Sequence, residues 1–314
     1  MAIDRPIMDP LAQVIQLVRP SGLLWKEMVA LGDWAVRFPA NPGVVFSFVS
    51  LGVCVFRRGG ETPIELREGD FLVMRSPPHW TLGLNENSAP VDYVTGRKPS
   101  DARLVRLGDG TQPKTCVLGG RFVFEPTNTT LVEHLVPPLL IVRDLDTGAG
   151  RLRKVLDLLR DEALDALPGR EFAIARLLEL LLVETIRNSG RSATAGMERG
   201  FLCGLADEHV ARVLVAMHAD IAHRWTAVEL ARVAGMSRSM FAERFSRIVG
   251  VPPMGYLVRW RIAIAKDMLR RNTERLAEIG ERTGYGSVSA FSTAFTRIVG
   301  CSPSAYQSET DRLT

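Results

Sequence analysis

Cysteine is sparse and scattered in this chain. Its four cysteines, Cys54, Cys116, Cys203 and Cys301, include no Cys-x-x-Cys pair, which excludes a zinc knuckle and a disulfide framework and implies reduced thiols in the cytoplasm. Long apolar runs are missing too, and none reaches the ~20 residues that a bilayer demands. Residues 1–16 carry Asp4, Arg5, Asp9 and two prolines where a secretory leader would be apolar, so the expected location is cytoplasmic, away from any membrane. Nor is one sign of charge dominant: the balance is +4 over 314 residues, with 46% hydrophobic and 24% charged. That composition can bury a core and fits two or three domains. The small excess is local. From 206 to 314 there are 15 Lys and Arg against 11 Asp and Glu, leaving 24 of each before it.

What is present is a repeat. Set over one another at a shift of 50, Ser237–Tyr256 and Ser287–Tyr306 match at Ser237, Ser239, Phe241, Phe245, Arg247, Ile248, Val249, Gly250, Pro253 and Tyr256. Each copy reads as short helix, glycine turn, second helix. In the first, Thr226 and Glu229 form a capping box, Gly235 breaks the helix, and Ser237 caps the next. The spacing of Phe241, Phe245 and Ile248 predicts one buried stripe, repeated in the second copy by Phe291, Phe295 and Ile298 after Gly284 and a cap at Ser287. Pro253 opens a connecting helix to about Arg271, roughly 28 Å long, suited to placing two helices in neighbouring major-groove segments.

This tandem, ending in GYGSVSAFSTAFTRIVGCSPSAY, resembles the DNA-binding domain of the AraC family of bacterial transcription regulators over about a hundred residues from Asp207. The bland alternative is a duplicated helical bundle without nucleic acid.

Upstream, Leu11, Val14, Ile15 and Val18 keep helical spacing until Pro20. The period then changes to short β-branched and aromatic runs at Trp34–Phe38, Val44–Val49, Val53–Phe56, Phe71–Met74 and Trp80–Leu84, which predict a sandwich or barrel. Residues 83–110 read as a loop, and Thr115–Phe124 as returning strands. LREGDFLVMRSPPHWTL, from Leu66, resembles half of a cupin barrel. Metal-binding cupins are expected to bring further histidines from the preceding strands, where this chain has Phe46, Ser47 and Phe48. One imidazole cannot hold a catalytic metal, so no metal or other cofactor is expected and His79 reads as a barrel-mouth residue. The expected interior is apolar, lined by Phe46, Phe48, Phe56, Met74 and Trp80 with His79 as polar anchor for a small-molecule effector; ordinary core is the alternative for each of these aromatics.

Two amphipathic helices follow, one carrying Leu152, Val155, Leu156, Leu159, Ala163 and Leu167, the other Ile174, Leu177, Leu178, Leu181, Leu182 and Ile186. In cupin-type AraC regulators, which this order of parts resembles, such a pair serves dimer formation, so a homodimer is expected. Asn188–Gly200 has a linker's composition. The fold expected is α+β multidomain: a cupin-like sensing β-barrel over 1–150, a helical hairpin and linker over 151–205, and an all-α tandem helix-turn-helix domain over 206–314.

With Phe241 as the core direction, Ser239, Glu243 and Ser246 point away, flanked by Ala242 and Arg247. The resemblance likewise puts base readers at Ser239, Ala242 and Glu243, with Arg238 beside them. The second copy supplies Ser289, Ser292 and Thr293, short hydroxyls that discriminate weakly. Glu243 reads equally as a surface partner of Arg247. Arg247, Arg259, Lys266, Arg270 and Arg297 are candidate phosphate contacts. Charge is uneven: 224–271 balances at +7 and 272–314 at −1, so the first motif and connecting helix are expected to anchor the protein electrostatically. The function expected is a non-enzymatic, sequence-specific DNA-binding regulator of a promoter, an activator that could contact RNA polymerase. The rival is a metal-dependent cupin enzyme fused to a DNA-binding domain. A methyltransferase is disfavoured, because none of the cysteines has an acceptor motif.

Overall fold

The computed structural model describes residues 9–93, 104–108, 110–112, 114–124, 131–132, 135–165, 167–189 and 199–311. The linker expected within 188–200 therefore lies mostly outside the described residues, as does the middle of the loop expected over 83–110. The chain divides into two compact units. One comprises Pro20–Phe124 and Val136–Met197; the other comprises Met1–Arg19, Glu125–Leu135 and Glu198–Thr314.

In the first unit, β1 (Ser21–Leu31), β2 (Ala35–Phe38), β3 (Val44–Leu51), β4 (Val53–Arg58), β5 (Ile64–Arg67), β6 (Phe71–Arg75), β7 (Trp80–Gly83), β8 (Val91–Asp92), β9 (Leu104–Leu107), β10 (Lys114–Val123) and β11 (Leu139–Val142) form two sheets. Their orders are β11-β6-β3-β10-β1-β9 and β5-β4-β7-β2-β8. Alternate residues of β3, β6, β2 and β7 (Val45 and Val49, Leu72 and Met74, Val36 and Phe38, Trp80 and Leu82) meet between the sheets, as the two-residue period of a strand requires. β1, the longest strand, was not legible in the sequence, and neither β8 nor β9 was expected within 83–110. β1 breaks the alternating pattern with an irregularity between Leu24 and Glu27. Glu27 is 3% exposed, a charge inside the sheet that periodicity reads as a surface position.

That charge is compensated from the helix pair, α2 (Ala149–Leu164) and α3 (Arg170–Ser189). Glu27 Oε1 accepts from Arg160 Nε at 2.7 Å and from the Ser50 hydroxyl at 2.8 Å. Nearby, a Cβ on Gly22 would lie 2.5 Å from Leu178 Cδ1, so the absence of a side chain there lets α3 approach β1. The helix pair thus packs on the outer face of the six-stranded sheet.

The second unit holds α1 (Pro10–Val18), α4 (Phe201–Ala206), α5 (Glu208–Ala219), α6 (Ala227–Ala234), α7 (Arg238–Val249), α8 (Pro253–Arg271), α9 (Leu276–Arg282), α10 (Val288–Val299) and α11 (Pro303–Asp311). Helix α1, first in the chain, belongs here. Arg19 Nη2 meets Asp267 of α8 at 2.8 Å, and Gln13 Oε1 lies 2.9 Å from His218 Nδ1. The other ring nitrogen of His218 is 2.7 Å from the Tyr256 hydroxyl, and its ring stacks 4.1 Å from Trp260. Burial pushes the His218 pKa down to about 3, so this imidazole is a neutral core group.

Candidate nucleic-acid interface and barrel interior

The two helix-turn-helix copies repeat in space as they do in sequence. Phe241 meets Phe245 edge-on at 5.7 Å, and Phe245 meets Tyr256 at 5.9 Å; in the second copy Phe291, Phe295 and Tyr306 do the same at 5.7 and 5.5 Å. The capping box is formed, with Thr226 N–H donating to Glu229 Oε2 at 2.8 Å and Glu229 N–H to Thr226 Oγ1 at 3.2 Å. Gly235 takes φ +68°, the left-handed conformation that ends α6 and starts the turn. Ser237 and Ser287 cap α7 and α10 by accepting from Met240 N–H and Ala290 N–H.

One detail of the expected stripe is corrected. Ile248 is half-buried and Ile298 is 43% exposed, whereas Val249 is buried and Val299 packs on the second motif's core. The apolar row runs at i, i+4, i+8, drifting to one side by about 40° at each step.

On α7, Arg238, Ser239, Glu243 and Arg247 are exposed, and Ala242 and Ser246 are half-buried. The Ser246 hydroxyl donates back to Ala242 O at 2.7 Å. Among the described residues no ion pair joins Glu243 to Arg247. Met240, which sequence reasoning passed over, is 61% exposed at the start of α7; its proximity to the cap was the signal available. On α10, Ser289, Thr293 and Arg297 are exposed and Ser292 is half-buried.

The basic stripe of α8 is less uniform than its spacing implies. Arg259 is exposed. Lys266 is half-buried, and that burial lowers its pKa. The Arg270 side chain is 17% exposed and lies 3.7 Å from Asp267, whose carboxylate also holds Arg19 and Arg271. Arg244 is withdrawn from the surface role its place on α7 would allow. It meets Asp207 at 2.6 Å, while Asp207 caps α5 through His209 N–H and Val210 N–H. Burial opposes the Asp207 charge, yet Arg244 and those amides hold its pKa below the usual value. The pair fixes the first motif's second helix against α5.

In the barrel, Phe56, Met74 and Trp80 belong to the interior cluster. Phe46 and Phe48 do not, and this corrects the expected lining: next to the inward Val45 and Val49, they face the opposite side of the sheet. There Phe46 packs on Phe71 and Phe122, and the Arg153 guanidinium lies 5.3 Å from the Phe48 ring. His79 is exposed, outside the interior it was expected to anchor, because the Pro77-Pro78 turn puts it before β7 begins. Among the described residues no group of three or more His, Cys, Asp or Glu is placed to hold a metal ion. Among the described residues of the interior cluster, the indole N–H groups of Trp34 and Trp80 are buried with no hydrogen-bond acceptor. Burial, with the Asp70 charge second, raises the Cys54 thiol to about 12, so it adds no anion.

A cupin family model matches residues 9–189 and a helix-turn-helix domain model residues 230–309. A putative AraC-like transcription regulator of Streptomyces lividans is 36% identical over 302 residues, 96% of this chain and 98% of that one. The RCS-specific HTH-type transcriptional activator RclR of Escherichia coli is 26% identical over 308 residues, 98% of this chain and 99% of that one. Among solved structures, the DNA-binding domain of AdpA in complex with a target DNA is 28% identical, covering 33% of this chain and 93% of that one, with a TM-score of 0.32. No described helix is long and apolar enough to cross a membrane.

Proposed function

Because the chain belongs to the AraC-like transcription regulators, with an N-terminal cupin domain and a C-terminal helix-turn-helix DNA-binding domain, we propose that α7 and α10 read promoter DNA under the control of an uncharged small molecule held between the two sheets. The observation that carries the DNA assignment is the exposed row Arg238, Ser239, Glu243 and Arg247 on α7, together with exposed Arg259 on α8. Arg259→Ala is expected to flatten the plot of log affinity against log salt by about 0.9, one phosphate's worth of counterions, without changing sequence preference. Lys266→Ala is expected to flatten it less, since its ammonium is partly withdrawn. Glu243→Ala should leave the slope unreduced and relax discrimination at one base pair, as loss of a contact to cytosine would. Binding measured across salt on matched and mismatched duplexes decides, and an unchanged slope for Arg259→Ala would sink the assignment.

The two buried, unpartnered indole N–H groups of Trp34 and Trp80 support the effector reading. A buried donor without an acceptor costs about 1–3 kcal/mol, and an interior whose unpartnered groups are N–H donors, with the nearby Arg58 guanidinium already held by Glu61, suits an apolar body bearing a carbonyl oxygen, not a carboxylate. In thermal-shift measurements 2-undecanone should stabilise the protein, with undecane and undecanoate much weaker. Trp34→Phe and Trp80→Phe should each lose that shift while melting no lower than the parent when unliganded. Stabilisation by undecanoate instead, or a loss of more than about 4 °C in either unliganded variant, would refute it.

The helix pair supports a homodimer, since Leu158, Phe172 and Leu180 remain 55%, 71% and 40% exposed in the single chain; a monomer in sedimentation equilibrium at micromolar concentration would exclude this.

A further inference from the structure

Arg261 is an 8%-exposed arginine on α8, and its hydrogen bonds go to backbone carbonyls. Nε donates to Ile221 O at 2.9 Å and Nη2 to His223 O at 2.7 Å. Burial lowers its pKa, with Tyr285 and Asp220 acting the other way. A guanidinium placed in this way carries a desolvation cost that an apolar side chain would avoid, so what it joins matters.

The carbonyls of Ile221 and His223 belong to the segment that leads into the first motif, five and three residues before the Thr226 cap. The opposite side of the guanidinium faces the second motif: its Cζ is 5.7 Å from the centroid of the Tyr285 ring. Next to Tyr285, Gly284 adopts φ +78°, and a Cβ there would lie 2.4 Å from Arg261 Nη2, 2.7 Å from its Cζ and 2.8 Å from Ala222 O. The glycine is thus required twice, by its backbone angle and by the approach of Arg261. Tyr285 in turn packs on Phe291 of α10 at 5.6 Å. One side chain from the connecting helix therefore touches the entry to one motif and the turn of the other.

We propose that Arg261 is a positioning residue that sets the placement of α10 relative to α7, and through it the spacing between the two DNA segments that the protein accepts. The proposal rests on both helices docking on DNA. Inserting one base pair between two half-sites moves them by ~3.4 Å and rotates them by about 35° about the duplex axis. A rigid tandem is sensitive to that change and a loosened one is not.

The test uses the full chain. A duplex is selected by the wild-type protein from a randomised pool, and affinities are measured for it and for versions with one base pair inserted or deleted between its halves. The wild type is expected to lose at least about tenfold on insertion, comparable to a mismatched base pair. Arg261→Met, which keeps volume and burial, should bind the selected duplex about tenfold more weakly and bind the inserted one within about twofold of that. Arg261→Lys, which retains the charge and can reach one carbonyl, should fall between. Gly284→Ala, which pushes on the guanidinium from the Tyr285 side, should lose spacing discrimination in the same way, and it decides the question if Arg261→Met does not fold by circular dichroism. A purely structural role would lower the melting temperature and leave the spacing preference intact. That result, in whichever variant is folded, overturns the assignment. A wild type indifferent to the insertion would instead remove the premise that both helices dock, and the assignment with it.

Discussion

Phe245→Ala is expected to abolish DNA binding by unfolding the first motif, at a cost of about 3–5 kcal/mol. Phe245 is fully buried and meets Phe241 on its own helix and Tyr256 on α8. Truncation removes both ring contacts and leaves a cavity that those two aromatics, each held by other neighbours, cannot collapse to fill. Tyr256 is further fixed by His218, so the damage should spread toward α5. Thermal melts read the outcome. A variant that melts normally yet does not bind would mean that Phe245 contacts DNA and that the helical phase assigned to α7 is wrong. Phe295→Ala, its counterpart one repeat later, should be similarly destabilising, but its effect on affinity at low salt should be smaller because the second half contributes less phosphate attraction.

The second large effect lies in the barrel unit. Arg160→Met should strand the Glu27 carboxylate, 3% exposed, with the Ser50 hydroxyl as its remaining side-chain partner. Breaking a buried pair by removing one member costs roughly 3–5 kcal/mol, and the lower end applies here because the Arg160 side chain is 36% exposed. Adding Glu27→Gln should restore most of that stability, since it removes the stranded charge. Denaturant unfolding of the three proteins at pH 7 checks this, and an Arg160→Met variant no less stable than the parent would show that the pair carries no weight.

These two residues mark what could be read in the chain and what could not. The tandem was legible because Phe241, Phe245 and their copies sit at helical intervals between strong local signals: a capping box at Thr226, a glycine at 235, a proline at 253. Each of those signals acts on residues within about four positions of itself. Glu27, His218 and Arg261 are polar residues buried by partners 133, 205 and 40 positions away, and no local pattern announces such partners. The interior of the barrel fell between these cases. Phe56, Met74 and Trp80 stand out as large apolar residues of the strand runs and do face inward, but the same reading misplaces Phe46 and Phe48, because β3 is buried on both sides and so does not alternate. Trp34 is expected from the sequence to open a strand and lies one residue before β2, yet its unpartnered N–H is a property of the folded interior.

The grouping of α1 with the DNA-binding helices has a consequence for how the protein is made. Gln13 and Arg19 leave the ribosome first, while their partners His218 and Asp267 follow 205 and 248 residues later. At about 5–20 residues per second that interval is on the order of 10–50 s, time enough for the intervening strands to fold while the apolar side of α1, with buried Val14, Leu17 and Val18, waits for its seat. Helix α1 thus waits for seats on α5 and α8 made much later, and a nascent chain stalled anywhere before α8 has no complete surface to offer a promoter.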